Sequence, residues 1–195
     1  MLPRHQRLHR TMSPTLCQHG VIGIGAGALR TLRASLTGDL GADVSATRMQ
    51  EMGYAAGTEV YQSFRAWLPS HTDVADPSRL SVEALPEVLS AFFGALGWGS
   101  VTVERIGNRG LAVTSADWAE AETADGEGPA CYFSTGLLAS FFTALAEGSR
   151  LAAMEIECRG QGDARCRFLL GSPATLAAAY DEISRGGDYR SVLGS

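Results

Sequence analysis

The sequence predicts an α+β fold in which a small antiparallel sheet of two hairpins packs against four to five helices. Three observations lead there. Apolar residues recur at three and four residues through the first half of the chain, and two later stretches alternate around glycine-containing turns. Between those two hairpins lies an aromatic segment with helical spacing. At 195 residues and 45% apolar composition, the chain is sized for one domain with a sizeable core.

Residues 1–27 are expected to be a flexible N-terminal segment, because no uninterrupted apolar region of the secretory kind follows Arg4, Arg7 and Arg10. Gly23, Gly25 and Gly27 give G-x-G-x-G without a following βαβ pattern, so the stretch reads as punctuation rather than a dinucleotide loop. Over 28–40, Leu29, Leu32, Leu36 and Leu40 share one helical face, closed by Gly38 and Gly41. A second helix is predicted over 42–67, with Val44, Met52, Val60, Phe64 and Trp67 on apolar faces and Arg48, Glu51 and Glu59 in water. Gly53 and Gly57 lie four apart, where another helix or a ligand can approach the backbone. The polar stretch 69–77, bounded by prolines, reads as a loop that leaves His71 in solvent.

A third helix should start at Ser81, with Val82, Leu85, Val88, Leu89, Phe92 and Phe93 as its stripe, and end at 94–97. Residues 98–106 and 111–114 form the first hairpin around Gly107, Asn108, Arg109 and Gly110. The acidic stretch 119–128 is expected to be an exposed loop, and 131–146 an aromatic helix. Residues 151–158 and 165–170 make the second hairpin around Gly160, Gly162 and Asp163, and a last helix covers 174–183. The ordered domain is thus expected over 28–185, with 186–195 as a tail.

Sixteen Lys and Arg against twenty-one Asp and Glu leave a charge of −5, without the basic surplus that direct nucleic-acid binding needs. No apolar run reaches the roughly 20 residues of a membrane span. Four cysteines are too few for a disulfide scaffold, so cytoplasmic thiols, free or metal-bound, are expected.

Glu155, Cys158 and Cys166 bracket the second hairpin as E-x-x-C-x-x-x-G-D-x-x-C, and its turn brings the two thiols together. With Cys131 as the third thiol, the set suits one tetrahedral structural zinc. Glu157 is the substitute carboxylate, since in a regular strand Cys158 points away from Glu155. Three thiolates and a carboxylate leave the site at −2 with zinc bound, and Arg159, Arg165 and Arg167 lie near in sequence to offset it. The competing reading is three small buried hydrophobes. No catalytic residue is expected: a nucleophilic Cys131 needs a histidine, and His5, His9, His19 and His71 all lie far from it in sequence.

The stretch 131–168 resembles the conserved end of the 4-vinyl reductase domain family, through Cys131, Gly136, Glu155, Glu157, Cys158, Gly162, Asp163, Cys166 and Phe168. The resemblance implies the fold shared by transport-particle subunits and NO-signalling ligand-binding domains. It also implies the Cys, Glu, Cys, Cys zinc set of the phenol- and xylene-responsive sensors. Phenol sensors place a His in the pocket, and no His follows His71 here, so phenol is not the expected ligand. The expected function is binding or sensing of a small apolar or aromatic molecule between the aromatic helix and the sheet, lined by Trp98, Trp118, Tyr132, Phe133, Phe141, Phe142 and Met154. The alternatives are an accessory protein or reductase of bacteriochlorophyll and tetrapyrrole synthesis, with a tetrapyrrole as ligand, and a protein-interaction module. The 195 residues show no counterpart of the activators' ATPase and DNA-binding regions, so output is expected to go through a separate partner, or there is none. Apolar surface on the 29–67 helices points to a homodimer.

Overall fold

Gly41 parts the first two helices: its φ of 84° lies in the left-handed region, where glycine carries no Cβ penalty. Before it runs α1 (Ala26–Leu40), and after it α2 (Ala42–His71). These coordinates are a computed structural model, which describes residues 20–123 and 130–194. His5, His9 and His19, most of the expected flexible segment 1–27, and residues 124–128 of the acidic stretch lie outside the described residues.

Helix α2 is longer than its sequence pattern, and continues through Pro69. A proline removes only its own N–H bond, and the turn around it is held by other contacts. The Thr72 amide and hydroxyl both donate to the Leu68 carbonyl, at 2.9 and 3.0 Å. The His71 ring stacks on Trp67 with centroids 4.1 Å apart, and its Nδ1 lies 2.9 Å from the Trp67 carbonyl. His71 is therefore buried, contrary to the solvent position expected for it. Helix α3 (Leu85–Ala95) begins later than predicted, because Ser81 closes a turn by accepting from the Ala84 amide. Val82 sits in that turn, 77% exposed, and drops out of the apolar stripe.

The two predicted hairpins are β1 (Thr102–Ile106) with β2 (Gly110–Ser115), and β3 (Ala152–Glu157) with β4 (Cys166–Gly171). They join through β2 and β4 into one antiparallel sheet of order β1-β2-β4-β3. Period-two alternation splits its side chains. Val113, Phe168 and Leu170 face the main core of α2, α3 and α4 (Tyr132–Leu145). Ala112, Leu169 and Met154 face a second cluster with Leu176 and Ala179 of α5 (Pro173–Ser184). Residues beyond 185 are not a loose tail up to 194. A short helix, α6 (Arg190–Leu193), inserts Leu193 into the second cluster, and the Leu193 carbonyl accepts from the Asn108 amide at 3.2 Å. Thus the sheet has helices on both faces. Among the described residues, no helix is long and apolar enough to cross a membrane.

Helices α2 and α4 form the closest pairing. A Cβ on Gly53 would overlap the Phe133 carbonyl, one on Gly136 would overlap the Gln50 carbonyl, and one on Gly57 would lie 2.5 Å from the Leu137 carbonyl. The close approach predicted at Gly53 and Gly57 is thus made by a helix. Gly38, also helical, faces open space. Gly136→Ala is expected to destabilise the fold by at least about 1–3 kcal/mol through overpacking. Gly38→Ala should instead stabilise it by about 0.5–1 kcal/mol through helix propensity alone. Chemical denaturation checks both, and a harmless Gly136→Ala would show that the helices are not in backbone contact.

Candidate metal centre and ligand cleft

Cys131 occupies the N-cap of α4, Glu155 lies in β3, Cys158 follows β3, and Cys166 opens β4. One ligand atom from each lies within 4.8 Å of all the others. The Cys131 and Cys166 Sγ atoms are 3.9 Å apart. Two sulfurs at about 2.3 Å from a tetrahedral centre stand about 3.8 Å apart, so the spacing fits zinc. A β-bulge makes this possible. Glu155 pairs with Phe168 and Glu157 with the adjacent Arg167, so Ile156 is the extra residue and the two carboxylates leave on opposite faces. Glu155 turns in to the thiols, while Glu157 turns out to Arg165 at 2.6 and 3.1 Å.

Glu155 Oε2 accepts from the Cys131 amide at 3.1 Å, but its buried Oε1 has no hydrogen-bond partner among the described residues. An orphaned carboxylate oxygen beside three sulfurs completes a donor set that could hold a cation. Burial pushes the Glu155 carboxyl up to about 8. The hydrogen bond with Cys158 pushes the Cys131 thiol up, while bonds from Cys131 and Cys166 pull Cys158 down. A soft divalent cation held by this set would replace the contacts among these thiols and the carboxylate. The predicted arginine counter-charges are absent for two of three residues. Arg165 serves Glu157, and Arg167 binds Glu104 and Thr114. Backbone amides take that role: Ala130 on Cys158, Arg159 on Cys166, and Cys131 on Glu155. Asp163 holds the turn, accepting from the Cys158 amide at 2.7 Å, and Gly162 at φ 100° lets the chain reverse.

Two residues beyond Cys131, Phe133 faces a cleft of about 340 Å³. Its walls come from residues 20–26, Leu29, the Ala56–Val60 turn of α2, the end of α3 through Trp98, and Leu137. Of the predicted lining, Trp98 and Phe133 are present, stacked at 5.9 Å and 7°. The other five do not line this cleft. Trp118 lies fully buried behind Trp98, and Phe141 and Phe142 point into the core because the helical period carries them there. Tyr132 leaves α4 on another side, and Met154 faces the opposite side of the sheet. Glu59, Ala56 and the 20–26 stretch were not predicted, and the glycine-flanked Val21, Ile22 and Ile24 were the available signal.

Glu120 is the other wall residue missed by the sequence pattern. Its acidic segment, expected to be an exposed loop, turns inward at Ala119–Thr123 in a 3₁₀ turn, leaving Glu120 1% exposed. The reason is α4, whose first amides have no intrahelical acceptors. Glu120 accepts from the Phe133 amide at 3.0 Å and the Ser134 amide at 2.7 Å, and also from the Ser134 hydroxyl. That hydroxyl in turn accepts from Trp118 Nε1 at 2.7 Å. Glu120 therefore caps a helix that begins a dozen residues later in sequence.

The V4R domain family model matches residues 112–172, a stretch that contains all four converging donors. The resemblance to the 4-vinyl reductase family is thereby borne out. Among solved structures, the chain is similar to the phenol-responsive sensory domain of the transcription activator PoxR, crystallised with phenol. Identity is 21% over 87% of this chain and 86% of that one, with a TM-score of 0.61. It is more distantly similar to a vinyl-4-reductase family protein from Methanocaldococcus jannaschii, with 17% identity over 77% and 83% and a TM-score of 0.49. A trafficking protein particle complex subunit 3 from Naegleria fowleri, covalently bound to palmitic acid, stands at 15% identity over 75% and 93%, with a TM-score of 0.48. No match was found among curated proteins.

Burial lifts the Glu120 carboxyl from 4.5 to about 7, against the opposing bonds from Ser134 and Phe133 and the nearby charge of Arg33. A carboxyl raised on folding stabilises the native state fully below its unfolded value, and loses that contribution as pH rises through the folded value. The wild type should therefore lose on the order of 2 kcal/mol relative to Glu120→Gln between pH 5 and 8. Urea unfolding of both proteins across that range checks this, and a pH-independent difference would show that Glu120 is ionised in the folded protein throughout.

Proposed function

We propose that this chain is a binding or sensing domain for a small apolar or aromatic molecule, and that a structural zinc on Cys131, Glu155, Cys158 and Cys166 sets its cleft. The observation that carries the reading is the first turn of α4, where Cys131 belongs to the donor cluster and Phe133, two residues on, to the cleft wall. Zinc would draw the N-cap of α4 onto the hairpin and so fix the height at which Phe133 meets Trp98. The metal's own contribution would be positional, because four protein donors leave no position for reacting water. The phenol bound by the PoxR sensory domain supports an aromatic ligand class. The working domain includes more than residues 28–185, since 20–26 wall the cleft and Leu193 seals the sheet. Reduced thiols suit a cytoplasmic location.

Metal analysis together with calorimetry tests this reading. Wild type should carry near one zinc per chain and bind 2-naphthol. Cys158→Ser should lose the metal and melt lower, because a hard hydroxyl replaces a soft thiolate in a site whose binding energy is folding energy. Glu157→Gln should keep the metal. Ala56→Phe should keep the metal and the fold but lose 2-naphthol, because the new ring occupies the cleft. Zinc-free wild type, or binding unaffected by Ala56→Phe, would overturn the respective half of the proposal.

The same reading includes a homodimer through α1 and α2. Leu40, Val44, Met52 and Tyr54 are 48%, 45%, 36% and 46% exposed on these two helices, a concentration of apolar surface suited to a second copy. Light scattering at tens of micromolar should give twice the chain mass, and a monomer mass would exclude it.

A further inference from the structure

The cleft wall has two ionisable side chains among the described residues, Glu59 and Glu120, and both are acidic. Among the described residues, no Lys, Arg or His lines it. Arg33 acts on Glu120 from α1 but is not part of the wall. The remaining surface is aliphatic, glycine backbone, and the stacked Trp98 and Phe133 rings. This composition is selective in charge. An anionic ligand would give up its hydration to meet two carboxylates, a cost that no described side chain of the wall offsets. A protonated amine would exchange water for a carboxylate beside aromatic rings, both of which attract a cation. Glu59 stands on an exposed part of α2 and packs against Gly20, at one edge of the cleft, while Glu120 is buried.

We infer that the cleft selects a flat apolar molecule carrying a basic amine, bound as the cation with its ammonium facing Glu59 and Glu120 and its apolar body against Trp98, Phe133 and Leu137. This inference rests on the proposed ligand-binding reading and narrows it. Carboxylate-bearing ligands, including acid-substituted tetrapyrroles, fall outside the selected class.

Three probes on one skeleton separate the charge preference from binding itself: 2-naphthylmethylamine, 2-naphthylmethanol and 2-naphthoate, titrated calorimetrically at pH 7.5. The amine should bind at least tenfold more tightly than the alcohol, and the carboxylate should bind most weakly. Glu59→Gln, an exposed position, should reduce the amine's advantage over the alcohol severalfold. Equal affinities for amine and alcohol, or tightest binding of the carboxylate, would overturn the charge preference while leaving the cleft as an apolar site. If none of the three binds, the ligand-binding reading falls and this inference falls with it.

Discussion

Backbone contact between α2 and α4 is the constraint on which the remaining geometry depends. Where Gly53, Gly57 and Gly136 meet the opposing helix, a methyl group cannot be inserted without moving a carbonyl, so the two axes sit as close as main chains allow. A helix held that tightly has little freedom to slide, and its N-terminus becomes a fixed point. Two features converge on that point from opposite sides. Cys131 meets the hairpin donors on the sheet side, and Glu120 meets the Phe133 and Ser134 amides on the cleft side. Loosening the crossing would displace both together.

The second requirement is the bulge between Glu155 and Glu157. In a regular strand both carboxylates would share one face, and the thiol cluster would gain two acids or none. One extra residue sorts them, giving the inner carboxylate to the sulfurs and the outer one to Arg165. Amides rather than side-chain cations then meet the negative charge. This suits a buried site, since fixed dipoles need no further desolvation of a charged group.

Legibility in the sequence followed the range of the contacts. The hairpin donors were readable because a turn of a few residues brings Cys158 and Cys166 together locally, and Gly53 and Gly57 were readable because two glycines one turn apart in a helix mark a close approach. Joining of the hairpins through β2 and β4 followed from no local pattern. The cleft was read poorly, since its walls come from five separated parts of the chain, and only Trp98 and Phe133 of the expected aromatics reach it. Met154 failed for a period-two reason: its partner Leu169 belongs to the face under α5. Glu120 and His71 failed because polar composition was read as exposure, whereas each is buried by a hydrogen bond to helical backbone.

Glu120 and Glu155 also explain how a helix with no acidic residue in its first turn and a cysteine at its N-cap is closed. Neither carboxylate is local in sequence, so the capping energy is available only once the 3₁₀ turn and the second hairpin are in place. Such non-local caps couple elements that otherwise fold independently, because the orphan amides of α4 remain unpaired until both arrive. The positive end of α4 then lies between two acids, half-buried Glu155 of the donor cluster and buried Glu120 of the cleft. A change of charge on either side is felt by the same few amides. The first turn of α4 therefore joins the cleft wall to the donor cluster through Phe133 and Cys131, two residues apart.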